Sequence, residues 1–572
     1  MSRPFPPRRA LLLAAALLSA CAAAGAPAPA TAPGAATTTE PPGVFGPYLA
    51  GRFAQTETDT ATAADRMIEA LRLDPEQPEI VTRAFVAALL DGRPEALQLA
   101  RRLPDNQAAQ LLLVGSEAQA GRWDRAEQRI RALPRQGPAA LLQPLLLAWT
   151  LQGKGQTDQA VAVLRPLAEG GRLRGIHALH LALILDQAGR GRDAERYARM
   201  ALAESPEVSL RLIQLAGGVL ARNAREQEAL RLAEQLGRGL GDFGILGTTE
   251  AARRALFAQR GVSSAVEGIA EAELSLAAAL RGQANGEPGL ILARLSLRLR
   301  PNFPPTLLLI AEMYADQRHP ETAMAVLETI PAGDPVSRVA ALRRAQLLDR
   351  SERTEDAERL LRELARAVPE APQSYARLGD ILRQRGRYSD AADAYDQAYD
   401  RVQAPATDVW PLLYARGIAN DRAGRWARAE ADFQRALQLS PEQPYVMNYL
   451  AYTWVERGTN LQEARRMLER AVELRPNDGN IVDSLGWALF KLGDMPGAVR
   501  WMERAVELEP RNAVILDHLG DVYWAVGRRN EARFQWLRAL RADPEDADIP
   551  KIEAKLRNGL PTPPSATAQR SD

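Results

Sequence analysis

The stretch AVILDHLGDVYWAVGRRNEARFQWLRALRADP, residues 513–544, decides how this chain folds. Leu516, Leu519 and Tyr523 recur at helical spacing and give a first helix one apolar face. Gly527 follows, a residue that tolerates the left-handed backbone with which helices often end. Ala532, Trp536 and Ala539, four and three apart, then mark the inner face of a second helix, and Pro544 blocks its continuation. Gly520 and Ala532 let the two backbones approach while Trp536 fills the space beside them. A larger side chain at Gly520 is expected to overpack the pair by roughly 1–3 kcal/mol.

The same layout recurs upstream. Register starts fall at Pro304, Arg338, Pro372, Trp410, Pro444, Gly479 and Ala513, 34 residues apart except for four extra residues before Trp410 and one near Thr459 and Asn460. The eighth position of each unit holds Ala311, Ala345, Gly379, Gly417, Ala451, Gly486 and Gly520. The twentieth holds Ala323, Ala357, Ala391, Ala429, Ala498 and Ala532, with Ala464 displaced one place by the insertion. Pro335, Pro369, Pro441, Pro476, Pro510 and Pro544 close the units. This is the tetratricopeptide pattern: two antiparallel helices per unit, stacked into an all-α solenoid, a right-handed superhelix of about a dozen repeats. One hairpin cannot bury both its faces, so each unit needs a neighbour.

Upstream of Pro304 the period degrades. Gly175 starts a good unit, with Ala182, Gly189, Ala194, Ala198, Ala201 and Pro206 in place. Weaker pairs are expected over 48–73, 80–103, 111–133, 141–167 and 210–236, and the Gly-rich stretch 237–249 reads as an insertion or hinge. The expected organisation is a leader 1–20, a linker 21–43, a degenerate array 44–240, an insertion with transitional helices 241–303, a regular array 304–546, a capping helix 547–560 and a disordered tail 561–572. Asp548 and Pro550 look like the N-cap and first turn of that capping helix.

Arg3, Arg8 and Arg9 precede an apolar run, 10–18, that is too short to span a bilayer. It ends in Leu18-Ser19-Ala20-Cys21, which resembles the lipobox of bacterial lipoproteins. Cys21 is the only cysteine, so no intramolecular disulfide can form. The resemblance implies cleavage before Cys21, lipid on its sulfur and, with Ala22 rather than Asp following, an outer-membrane lipoprotein facing the periplasm. Losing the leader takes the formal charge from +1 to −2, which gives no case for nucleic acid as a partner.

Little reads as catalytic. Gly239, Gly241 and Gly244 satisfy a G-x-G-x-x-G string but follow a helix, which favours a linker over a dinucleotide site. His177 and His180 sit three apart without acidic or cysteine partners, so packing is favoured over a metal site. No cofactor and no metal is expected, and an enzyme with its site in 237–249 is a remote alternative.

First helices of successive units line the concave side of such a solenoid, an inner wall expected to grip another polypeptide. Groove positions in the last units hold Tyr445, Asn448, Tyr452 and Val455, then Asn480, Asp483, Trp487 and Phe490, then Val514, Asp517, Asp521 and Trp524. Aromatics interspersed with Asn and Asp suit an extended peptide or a partner helix. Packing of Trp487, Phe490 and Trp524 between repeats is an equal alternative. The groove lacks the Lys and Arg of a carboxylate clamp, so a C-terminal carboxylate ligand is not favoured.

The strings Asn448-Tyr449-Leu450-Ala451-Tyr452, Val482-Asp483-Ser484-Leu485-Gly486-Trp487, Asp517-His518-Leu519-Gly520-Asp521 and Glu531-Ala532-Arg533-Phe534-Gln535-Trp536, together with the lipobox, resemble a group of proteobacterial envelope tetratricopeptide lipoproteins. That group includes the adaptor of a periplasmic carboxyl-terminal processing protease. The resemblance implies a non-enzymatic scaffold that tethers a processing protease to cell-wall hydrolase substrates. An assembly factor for envelope polysaccharide or outer-membrane export is the alternative.

Overall fold

The computed structural model describes residues 43–560, apart from 135, 206–208, 238–240, 283–285 and 403–408. The leader, Cys21, nearly all of the linker, Pro206, Gly239, the four extra residues before Trp410 and the tail lie outside the described residues.

The described residues are helical with no strand, and the helices pair in sequence. In the closing unit, Asn512 accepts hydrogen bonds from the amides of Val514 and Ile515 at 3.1 and 3.4 Å and so starts the helix Ala513–Ala525. That helix ends at Gly527, whose φ is +86°. Arg529–Arg541 returns antiparallel, with Ala532, Trp536 and Ala539 fully buried. A Cβ on Gly520 would sit 2.4 Å from the Trp536 indole, and one on Gly417 would sit 2.6 Å from Phe433. The small eighth residue is therefore the seat of the large side chain sixteen places on. The extra residue near Asn460 is taken up by left-handed turns at Gly458 and Asn460, φ +67° and +49°, and the next helix, Leu461–Leu474, starts in register.

Seven such pairs run from Pro304–Asp316 to Arg529–Arg541. Six precede them, from Phe45–Thr56 with Thr60–Leu73 to the pair that begins at Leu210 and ends with Glu226–Gly237. Between the two arrays stand a 3-10 turn, Asp242–Leu246, a short helix, Glu250–Ala255, and the antiparallel pair Ala265–Ala279 and Glu287–Leu299.

That last pair changes the architecture. It packs on the first helices Pro78–Leu90, Gln107–Gln119, Gly137–Gly153 and Arg174–Gln187, which line the concave side of the N-terminal array. Gly268 lies so close to Trp149 that a Cβ would meet the indole at 2.2 Å, and Gln119 donates to the Arg298 carbonyl at 3.2 Å. Arg211 holds the buried Glu271 through its Nε at 3.0 Å. At the rim, the hydroxyls of Thr58 and Thr322 meet at 3.0 Å. The N-terminal array is thus wrapped around the chain's own helices, and the free inner wall expected from the repeats is not available there.

The 3-10 turn is a joint rather than a loose linker. Its Asp242 is buried between Arg343 and Arg377, with ion pairs of 3.0 and 2.9 Å. His177 and His180 are buried in the N-terminal core. Trp149 Nε1 donates to His180 Nδ1 at 2.9 Å, and burial pushes the His180 imidazole down to about 3.

At the far end Pro550 stands in the first turn of the helix Ile549–Asn558. Asp548 does not cap it with its side chain, which instead accepts from Lys551 Nζ at 2.7 Å. The helix buries Ile552 against the final repeat.

Candidate functional site

The concave side of the C-terminal array holds a cleft of about 940 Å³. Its walls are the first helices Trp410–Arg422, Pro444–Arg457, Gly479–Lys491 and Ala513–Ala525, and its far side is closed by residues 544–552. Asn448, Tyr452, Asn480, Asp483, Val514 and Asp517, all groove positions by sequence, line it. Asn480 is exposed; it donates to Glu509 at 3.0 Å and accepts from Asn512 at 3.1 Å.

The remaining groove positions are placed elsewhere. Trp487 is only 7% exposed. Its indole stacks on His518, ring centroids 4.2 Å apart, lies tilted by 32° beside Phe490 at 5.2 Å and donates from Nε1 to Glu456. Asp521 accepts from Trp536 Nε1 at 2.9 Å and from Lys555 of the capping helix at 2.8 Å. Trp524 lies against Trp536 and beneath Gly559, where a Cβ would meet its ring at 1.9 Å. Val455 is buried, and Tyr445 is exposed beside Arg475. The tryptophans therefore serve repeat packing and the cap, because the next unit or the final helix covers each of them.

Residues that the groove pattern did not single out complete the cleft. Tyr449 donates to Asp421 at 3.0 Å, and Arg422, Glu456, Arg457, Glu545, Asp548 and Lys551 reach the same space. Asp421, Glu456, Asp483, Asp517, Glu545 and Asp548 face Arg422, Arg457 and Lys551, so the lining carries more carboxylates than cations. Helix periodicity places Tyr449 and Glu456 one position beyond the chosen stripe. Asp548 and Pro550 announce the capping helix, but nothing local signals that 544–552 also closes the cleft.

Two acceptors inside the cleft wall are unsatisfied: Asn448 Oδ1 and Asp517 Oδ1 are buried without a hydrogen-bond partner. Asp517 Oδ2 is held by Lys555 at 2.7 Å. His518 joins two of the walls, its Nδ1 donating to Asp483 at 3.0 Å. Burial disfavours the imidazolium, but Asp483, with Asp517 and Asp521 behind it, outweighs burial and raises the His518 pKa above its ordinary value.

A second pocket of about 280 Å³ adjoins the 3-10 turn. Ile176, Leu179, Phe243, Leu274 and Leu308 line it; of its three charged residues, Arg211 and Glu271 engage each other and Glu312 pairs with Arg281. Among the described residues no group of three or more His, Cys, Asp or Glu side chains could hold a metal ion.

Family profiles described as Tetratricopeptide repeat match residues 145–209, 342–408, 422–485 and 483–512. The chain is similar to a TPR repeat-containing protein of Pseudomonas aeruginosa, 33% identical over 89 residues, 16% of this chain and 15% of that one. It is 30% identical to human tetratricopeptide repeat protein 13 over 136 residues, 23% of this chain and 15% of the other. Both matches thus span about one seventh of the relative's length. Among solved structures, a tetratricopeptide repeat protein of Parabacteroides merdae aligns over 45% of this chain and 99% of its own, with 15% identity and a TM-score of 0.38. The matched segments are tetratricopeptide repeats, and the all-helical stack is a tetratricopeptide-type solenoid.

Proposed function

We propose that this chain is a non-catalytic scaffold that holds an extended polypeptide in its C-terminal cleft. The observation that carries the reading is the cleft itself, open on the concave side of the C-terminal array, whereas the hollow of the N-terminal array is filled by Ala265–Ala279 and Glu287–Leu299. The cleft's excess of carboxylates favours a neutral or cationic segment.

On the lipobox resemblance, Cys21 carries lipid and anchors the scaffold at the outer membrane, facing the periplasm. On the family resemblance, the tethered pair is a carboxyl-terminal processing protease and a cell-wall hydrolase. Holding two proteins on one solenoid raises their effective concentration to about millimolar.

Affinity purification of the chain from detergent-solubilised membranes tests this reading. Recovery of a processing protease with its substrates supports the adaptor. Recovery of a polysaccharide or outer-membrane export complex replaces it with an assembly factor. Palmitate labelling that a Cys21→Ser variant loses supports the anchor, and its absence from the unaltered chain contradicts it.

A further inference from the structure

The two ends of the solenoid differ. The C-terminal end is covered by Ile549–Asn558, which presents lysine and arginine outward. The N-terminal end is the helix Phe45–Thr56, apolar on two opposite faces. Its inner face places Gly51 and Ala54 toward the second helix, with Met67 packed directly on Gly51. Its outer face carries Phe45, Leu49 and Phe53, which are 74%, 63% and 68% exposed. These are the three most exposed large apolar side chains among the described residues, and they stand at i, i+4 and i+8 on one stripe. Repeat arrays need a polar outer face on their terminal units, and a helix that is apolar on both sides is ordinarily covered on both.

What covers it is indicated by the chain that leads into it. Cys21 lies 24 residues before Phe45, and 22–44 contain a single ionisable residue, Glu40. A chain of that length reaches at most about 80–85 Å even fully extended. With lipid on Cys21, the stripe is confined to within that distance of a bilayer.

We propose that Phe45–Thr56 is a membrane-contact helix that rests Phe45, Leu49 and Phe53 in the interfacial region of the bilayer. The helix then fixes the orientation of the solenoid, with its N-terminal hairpin on the membrane and the C-terminal cleft directed away from it. The proximity argument rests on the lipid-anchor reading of the proposed function; the apolar stripe does not.

The test uses the unlipidated mature chain, residues 21–572 with Cys21→Ser, which retains every contact described here. It is co-sedimented with vesicles of phosphatidylethanolamine and phosphatidylglycerol, about 3:1, alongside the F45S/L49S/F53S variant. Phe534→Ser, which changes a comparably exposed aromatic (59%), is the control. The expected result is vesicle binding that falls about tenfold or more in the triple variant and is unchanged in the control, with circular dichroism the same in all three. Equal binding of wild type and triple variant, or no binding by wild type, overturns the proposal. So does a dimer in sedimentation analysis that the triple variant dissolves, which would assign the stripe to a second copy. Loss of a bound protein without loss of vesicle binding would assign it to a protein partner. Because the chain tested carries no lipid of its own, failure here leaves the Cys21 anchor standing. Absence of palmitate labelling at Cys21 would remove the anchor without touching the vesicle result.

Discussion

The imidazole of His518 lies flat on the indole of Trp487, ring centroids 4.2 Å apart and planes 15° from parallel, while its Nδ1 donates to Asp483 at 3.0 Å. One side chain thus ties the last unit to the one before it, and Trp487 is part of the joint. Trp487→Ala is expected to cost about 3–5 kcal/mol, the range for truncating a buried aromatic, and to lower the unfolding midpoint in urea. A variant with unchanged midpoint and weakened partner capture would return Trp487 to the binding surface.

The same joint titrates. The folded His518 pKa is raised above its ordinary 6.5, so the folded state binds its proton more tightly than the unfolded chain does. Its stabilisation is complete below the unfolded pKa and is lost as pH rises through the folded value. Thermal unfolding followed from about pH 6 to 9 should show the midpoint falling in that window, and His518→Gln should flatten the fall. An equal slope in both proteins would place the proton elsewhere.

Glu273 is wholly buried in the inner pair, its Oε2 has no hydrogen-bond partner, and burial raises its pKa well above 4.5. A carboxyl raised in the fold destabilises progressively as pH climbs above its unfolded pKa. Glu273→Gln should therefore stabilise at pH 7 by about 1–3 kcal/mol and by less at pH 4. Differential scanning calorimetry at the two values checks the sign.

Gly520→Ala sets a Cβ 2.4 Å from Trp536, an overlap that should cost about 1–3 kcal/mol. Trp536→Leu in the same chain should recover part of the loss, since the intruding ring is gone. A double variant whose loss equals the two single losses added together would show that the two side chains do not meet.

The unit structure was legible because a helical hairpin is a local object. Gly417 and Phe433, or Gly520 and Trp536, lie within one unit, and their spacing states their contact. The groove stripe was legible only in part. Asn448, Tyr452, Asn480, Asp483 and Asp517 are oriented by their own helices, whereas the cover on Trp487 comes from His518, 31 residues on, and that on Trp524 from the capping helix. Residues 265–299 filling the N-terminal hollow had no local signature at all. Their fit depends on Gly268 meeting Trp149 and Leu299 meeting Gly115, pairs more than a hundred residues apart. Helical periodicity reports which face is apolar, not which distant surface will cover it.

Site-specific photo-crosslinking in cells tests the central claim most directly. A photoreactive phenylalanine at Tyr452, in the cleft, should capture a partner polypeptide, and the same probe at Ser275, in the filled N-terminal hollow, should capture none. Capture at Ser275 with a silent Tyr452 would contradict the assignment of binding to the C-terminal cleft.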